Sequence, residues 1–424
     1  MFSPLYTKTA RLDRLKQVVG LLLLPLLLGL VLQPFGTAHA ESGPSIELAT
    51  TAGPTGDYIH ITGYNLHICG DTGECQVAVK VGNFYMLIGS GYSPATGQFG
   101  FTGPLPRAGD FFIGTASKEM EVPTGPITIV VGDLNGETVS ATYTVTDNSE
   151  GPFSSTTAFE AIGFRWLHTD SLVADGTVKR SWLWGPKTFW TGFEPYADSP
   201  DGWRLVSYYD KARMEVNDYS AESVNNPYYV SNGLLVKEMV TSQLQLGDNT
   251  FEAHNGDGPV LPAGDLTEAN TTPPFAVYAQ VLDRNDNSNG STVNQYLFRT
   301  GEVEEMTTFN KYGVTTGHRV AETGHYIASP FWNYLNQSGP VVDLYGQEYL
   351  THNARLFDPL FSATGLPITE PYWTTTLVGG VSKDVLVQLF ERRVLTYTPS
   401  NSAGFQVEMG NVGLQYFLWR NSAN

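Results

Sequence analysis

Basic residues are scarce in this chain. Its 424 residues carry 24 Lys+Arg against 42 Asp+Glu, a formal net charge of −18. Binding a phosphate backbone calls for a basic face, so nucleic acid is excluded as a partner on charge. Cysteine is scarcer still. Two residues, Cys69 and Cys75, cannot build a disulfide scaffold, and with His67 alone nearby they do not make a zinc site. Catalytic signatures are missing as well. There is no Gly-x-Ser-x-Gly elbow, no phosphate-binding Gly-x-x-x-x-Gly-Lys-Ser/Thr loop and no His-Glu-x-x-His. No residue set implies a cofactor, and no apolar tail closes the chain.

What is present is apolar material, 41% of the residues, enough for real cores and too much for a disordered chain. At about 150 residues per domain the length suggests two or three domains. Residues 1–40 read as a secretory signal peptide. Lys8, Arg11, Arg14 and Lys16 form a positive start, Val18 to Leu32 an apolar run, and Ala38-His39-Ala40 a small-x-small cleavage site. The run is shorter than the ~20 residues of a bilayer span, which tells against the rival reading, an uncleaved anchor. Removing those four bases and Asp13 takes the net charge from −18 to −21. The expected product is exported, without an integral span. Cys69 and Cys75 fit that oxidising compartment as a disulfide closing a hairpin end.

Residues 44–146 read as one all-β domain. Strands are expected at 45–49, 58–62, 77–81, 127–131 and 139–145, where β-branched or alternating runs are punctuated by Gly, Pro, Asn or Asp. The phrases Pro44-Ser-Ile-Glu-Leu, Gly56-Asp-Tyr-Ile-His-Ile-Thr-Gly-Tyr-Asn, Gly97-Gln-Phe-Gly-Phe, Pro123-Thr-Gly-Pro-Ile-Thr-Ile and Ala141-Thr-Tyr-Thr-Val resemble the IPT/TIG-type immunoglobulin-like fold. The resemblance implies a β-sandwich serving as a spacer or binding platform. A polar linker is expected at 147–157.

Residues 158–424 carry an internal repeat, at about 180–242 and 324–420. The first copy contains Glu194-Pro-Tyr, the strand entering Asp210-Lys211, and Gly233. The second contains Glu370-Pro-Tyr, the strand entering Glu391-Arg392, and Gly410. Each unit is expected to be a β-hairpin followed by a short helix or strand. A helix from Pro330 to Gly339 is expected ahead of the second copy, and a hairpin with a polar tip at 283–290 between Ala276-Val-Tyr-Ala-Gln-Val and Thr292-Val-Asn-Gln-Tyr-Leu-Phe. The phrase Ala363-Thr-Gly-Leu-Pro-Ile-Thr-Glu-Pro-Tyr-Trp resembles the signature of LGFP-type repeats of bacterial envelope proteins. In the first copy Trp184-Gly-Pro stands in its place. The resemblance implies a cell-envelope or glycan-associated role and no particular reaction.

All eight Trp lie in this C-terminal region. Flat rings stack on sugar C–H faces, but they also fill cores. The candidate ligand contacts are Trp182, Trp184, Trp190, Trp203, Tyr196, Tyr372 and Trp373. Alternation in Ser181-Trp-Leu-Trp would place Trp182 and Trp184 on one strand face. Glycoside hydrolysis needs paired carboxylates, and the candidates are Glu194, Asp210, Glu215, Glu370 and Glu391. Recurrence of the acid–base dipeptide in both copies favours a structural role for it. His318, Glu322 and His325 match no zinc signature, and the Asp283 stretch lacks the glycine and the acid of a calcium loop, so no metal is assigned. The sequence thus points to a mainly β, exported protein: an immunoglobulin-like sandwich, then two related hairpin units. Its expected partner is a glycan or other envelope polymer. A polysaccharide or peptidoglycan hydrolase and a structural adhesion component are the alternatives.

Overall fold

The computed structural model describes residues 43–424 except 70–73, 94–96, 114–115, 135, 150, 155, 219–227, 255, 257–259, 266, 268–269, 343–349 and 422–424. The proposed signal peptide and residues 70–73 of the disulfide loop lie outside the described residues. The fold is mainly β. In the N-terminal part a three-stranded sheet, in the order Ser45–Leu48, Tyr58–Tyr64, Phe99–Pro104, faces the strands Phe84–Tyr92, Glu74–Val81, Gly125–Gly132 and Thr138–Val145. Alternation decides which side chains meet between them. Ile59, Ile61, Phe99 and Phe101 come from one sheet, and Val77, Val79, Met86, Ile88, Ile127, Ile129 and Val131 from the other. The Cys69–Cys75 disulfide is formed at the edge of this core, with Cα atoms 4.9 Å apart. No helix among the described residues is long and apolar enough to cross a membrane.

The larger sheet does not stop at the sandwich. Strand Phe84–Tyr92 pairs with Thr188–Pro195 through Gly91↔Trp190 and Ser90↔Thr191, so nine strands run continuously from the N-terminal to the C-terminal part. Gly89 makes this possible. A Cβ there would lie 2.4 Å from the Thr191 carbonyl oxygen, so only glycine allows the approach. The segment 147–157 is likewise more than a connection. Phe153–Ser154 pairs in parallel with Ala108–Ile113, and the first helix begins at Thr156.

Among the described residues the helices that follow are α1 Thr156–Thr169, α2 Ser171–Ala174, α3 Leu235–Thr241, α4 Phe275–Tyr278, α5 Ser329–Leu335 and α6 Val412–Arg420. Two hairpin units share one plan. In the first, Thr188–Pro195, Trp203–Tyr209, Ala212–Val216 and Ser231–Asn232 lead into α3. In the second, Tyr372–Val378, Val381–Leu389, Val394–Tyr397 and Val407–Met409 lead into α6. Equivalent residues enter equivalent cores. Leu205 and Leu386 face one cluster with α1 and α5. Val206 and Val387 face the other with α3, α4 and α6.

The units grip each other at their turns. The Asp210 carbonyl accepts the Leu414 amide at the start of α6 (3.1 Å), and the Glu391 carbonyl accepts the Lys237 amide at the start of α3 (3.0 Å). Each turn therefore satisfies an orphan amide of the other unit's helix. The bases of the two dipeptides repeat the exchange. Lys211 Nζ donates to the Met409 carbonyl (2.7 Å) and Arg392 to that of Asn232. Gly185 and Gly365, both at positive φ, lie against the turns. A Cβ on Gly185 would meet Asp210 N at 3.1 Å, and one on Gly365 would meet Glu391 Oε2 at 2.7 Å. The glycine shared by Trp184-Gly-Pro and Thr364-Gly-Leu-Pro thus has a steric reason.

Several expectations change. Ala276–Val281 is helical, not a strand. It follows Pro273-Pro274, and Phe275, Tyr278 and Val281 fall at helical spacing into the core. The helix starting at Ser329 stops at Leu335, and Ser338–Val342 is a strand. Ser181-Trp-Leu-Trp is no strand. Its backbone wraps the Asp170 carboxylate, which accepts the amides of Leu183 (3.1 Å), Trp184 (2.7 Å) and Gly185 (3.1 Å). Leu183 and Trp184 are consequently both buried. The two Glu-Pro-Tyr phrases are not equivalent. Glu194 pairs with Arg204 inside its hairpin, whereas Glu370 precedes its strand, and Thr374 occupies the place of Glu194.

Candidate functional site

A groove runs between the outer face of the three-stranded sheet and the strand Thr188–Pro195 with α6. Two contiguous chambers, of 640 and 470 Å³, share Gly100, Trp190 and Phe417. Strand alternation turns Tyr58, His60, Thr62, Gly100 and Thr102 outward into or beside it, while Ile59, Ile61 and Phe101 turn to the sandwich core. The ring of Trp190 is held by Tyr208 at 5.7 Å, Phe417 at 5.9 Å and Phe101 at 6.3 Å. Tyr58, 37% exposed, meets Trp203 edge-on at 5.3 Å at one end. Of the expected contacts, Trp190, Trp203, Glu194 and Asp210 therefore gather here.

The carboxylate of Glu194 lies between this groove and a buried ionic network. Three guanidiniums, of Arg204, Arg213 and Arg420, meet three carboxylates, of Glu194, Glu215 and Glu238. Arg213 contacts Glu215 at 2.6 Å and both Glu194 and Glu238 at 3.2 Å. Arg204 contacts Glu215 at 3.2 Å and Glu194 at 3.4 Å, and Arg420 contacts Glu194 at 3.3 Å. Tyr208 donates to Glu194 (2.5 Å) and Tyr416 to Glu238 (2.5 Å). Burial pushes the Glu194 carboxyl up, but Arg213, Arg420 and Arg204 outweigh it and hold it at about 2. Glu215 is likewise buried and is still held below the usual range by Arg204 and Arg213. Both stay ionised, so neither is suited to be the proton donor that glycoside hydrolysis requires.

In the second unit the residues in register with Glu194, Arg204, Arg213, Glu215 and Glu238 are Thr374, Val385, Val394, Thr396 and Gln415. All are uncharged. Val385, Thr396 and Gln415 line a 260 Å³ cavity there. Five of the six members thus belong to the first copy only, and Arg420 reaches them from α6 of the second.

The other expected site residues lie elsewhere. Tyr372 and Trp373 are fully buried. Trp373 donates to the Val293 carbonyl (2.8 Å) and stacks with Phe309 and Tyr312, each at 4.9 Å, inside the core. Tyr196 is buried, its hydroxyl donating to Asp248 (2.7 Å) and its ring lying under Arg204. Trp184 donates to Thr169 (3.0 Å), lies under Arg393 and, with Glu391, borders a separate 380 Å³ cavity. Trp182 is half-buried outside both cavities. Glu391 accepts the Leu366 amide (3.0 Å). Glu370 is fully buried and accepts from Asn287 (2.7 Å), with His325 at 3.4 Å. Asn287 belongs to the Asp283 stretch, so part of that loop is anchored. His318 stacks on Trp332 at 4.1 Å, and exposed Glu322 lies in the turn between two strands, not on a helix with the histidines.

Sequence reasoning missed Tyr58, His60, Phe417, Arg204, Glu238 and Arg420. For the network one signal was available. Arg213 and Glu215, two apart in a strand, share a face of an otherwise apolar run, and a buried charge needs its partner nearby. No family model, no curated protein and no solved structure matches the chain.

Proposed function

We propose that this is an exported, envelope-associated protein that binds glycan without transforming it, and that the groove between the sandwich and α6 is its saccharide site. The observation carrying this reading is the lining. Aromatic side chains of Tyr58, Trp190 and Phe417 sit beside the hydroxyls of Thr62 and Thr102, the amide of Asn421 and the Glu194–Arg420 pair. Rings that cover sugar C–H faces, with polar groups at the edge for hydroxyls, are what saccharide recognition asks of a protein surface. The low, arginine-bound state of Glu194 and Glu215 suits a fixed polar wall better than a proton shuttle. The resemblances to IPT/TIG and LGFP-type modules agree with an envelope location.

The test is sedimentation of residues 41–424 with insoluble peptidoglycan, chitin, cellulose and xylan, assaying pellet and supernatant. Protein in the pellet of at least one polymer is expected, with no sugar released and with at least tenfold weaker retention for Tyr58→Ala. Failure to pellet with all four, or release of soluble fragments, overturns the proposal.

A further inference from the structure

We infer that the ligand of this groove is amphiphilic, a neutral saccharide carrying an alkyl or acyl chain. The inference rests on the saccharide reading and narrows it. The two chambers differ in chemistry. The larger combines the rings of Tyr58, Trp190 and Phe417 with polar groups that match hydroxyls, among them Thr62, Thr102 and Asn421. The smaller is walled by Pro186, Phe189, Trp190, Leu414 and Phe417, with Lys187 and Asp210 as its charged members. Burial raises the Asp210 carboxyl against the pull of Lys211, as an apolar setting would. A saccharide alone would leave those carbon walls to water, and a hydrocarbon alone would strip water from the polar chamber without replacing its hydrogen bonds.

Charge decides the headgroup. Glu194 and Arg420 neutralise each other at 3.3 Å, so the polar chamber has no surplus cation to hold a phosphate or carboxylate. Gly100 joins the chambers. It is exposed on its strand, and a Cβ there would meet nothing within 4 Å. No side chain at this position stands between the two halves.

The experiment is isothermal titration of residues 41–424 with methyl and octyl glycosides of glucose, galactose and N-acetylglucosamine, below micelle formation, and with 1-octanol. At least one octyl glycoside is expected to bind tenfold or more tightly than its methyl counterpart, since each buried methylene strengthens binding about fourfold. Gly100→Leu and Leu414→Asn should each remove that gain. Leu418→Asn, at an exposed α6 position that does not line the smaller chamber, should bind as the parent does. Equal affinity for methyl and octyl glycosides overturns the amphiphile inference and leaves the saccharide reading standing. Octanol binding as tightly as the best octyl glycoside overturns both. Absence of binding by every octyl glycoside overturns the inference, and the polymer sedimentation then decides the saccharide reading separately.

Discussion

Replacing Arg213 with methionine keeps an unbranched apolar stem and removes the charged guanidinium. Arg213 is fully buried and bridges Glu215, Glu194 and Glu238 at 2.6–3.2 Å. The variant leaves three buried carboxylates facing two guanidiniums. Breaking one partner out of a buried ionic cluster costs about 3–5 kcal/mol, and that is the loss expected in urea unfolding followed by tryptophan fluorescence at pH 7. The pH dependence gives a sharper test. In the parent, Glu194 is held at about 2, below its ordinary value. Its contribution, on the order of 3 kcal/mol, is present above about pH 4.5 and is lost as pH falls toward 2. Without Arg213, the largest cationic pull on Glu194, that carboxyl rises from about 2. The variant has less of this contribution to lose, so its deficit should shrink as pH falls from 4.5 toward 2. Replacing all six members by Met or Leu should cost less than Arg213→Met alone, because it leaves no buried charge unpaired and the second unit fills five equivalent places with uncharged residues. A single-variant loss below about 1 kcal/mol, or a deficit that grows on acidification, would refute the argument.

Two further outcomes follow from the fold. Replacing Cys69 and Cys75 together by alanine should cost about 2 kcal/mol, because their loop is short. The same loss should appear when the parent is unfolded under reducing conditions, while reductant should leave the double variant unchanged. Gly365→Ala should lower the urea midpoint more than Gly379→Ala. Both glycines are at positive φ, but only at Gly365 would the added carbon strike a neighbour, the Glu391 side chain.

The sandwich strands were legible because their faces differ. Tyr58–Tyr64 alternates exposed and buried side chains, and the sequence carries that alternation. The hairpin units were legible for a similar reason, together with the acid–base pair at each turn. The groove was not. It forms where the outer face of one sheet meets α6, and nothing in the local pattern of Tyr58 or Phe417 announces a neighbour hundreds of residues away. Tryptophan content misled at Trp373, since a stripe of rings reads the same whether it is stacked in a core or open to a ligand. Helix α1 was passed over, its Thr-rich start following a polar stretch that looked like a connection. Glu-Pro-Tyr recurred by coincidence, and only the strand register separates the two occurrences.

The exchange of turns between the two units bears on how the groove could arise. Two identical subunits joined in this way would carry every substitution twice, and an ionic network installed in one would appear in both. Joining the copies in one chain frees each from the other's sequence, provided that the turns still reach the opposite helices. One copy can then stay uncharged at the equivalent places and lend Arg420 from its last helix. The other can take on five charges, accept the edge of the sandwich and open a lopsided groove.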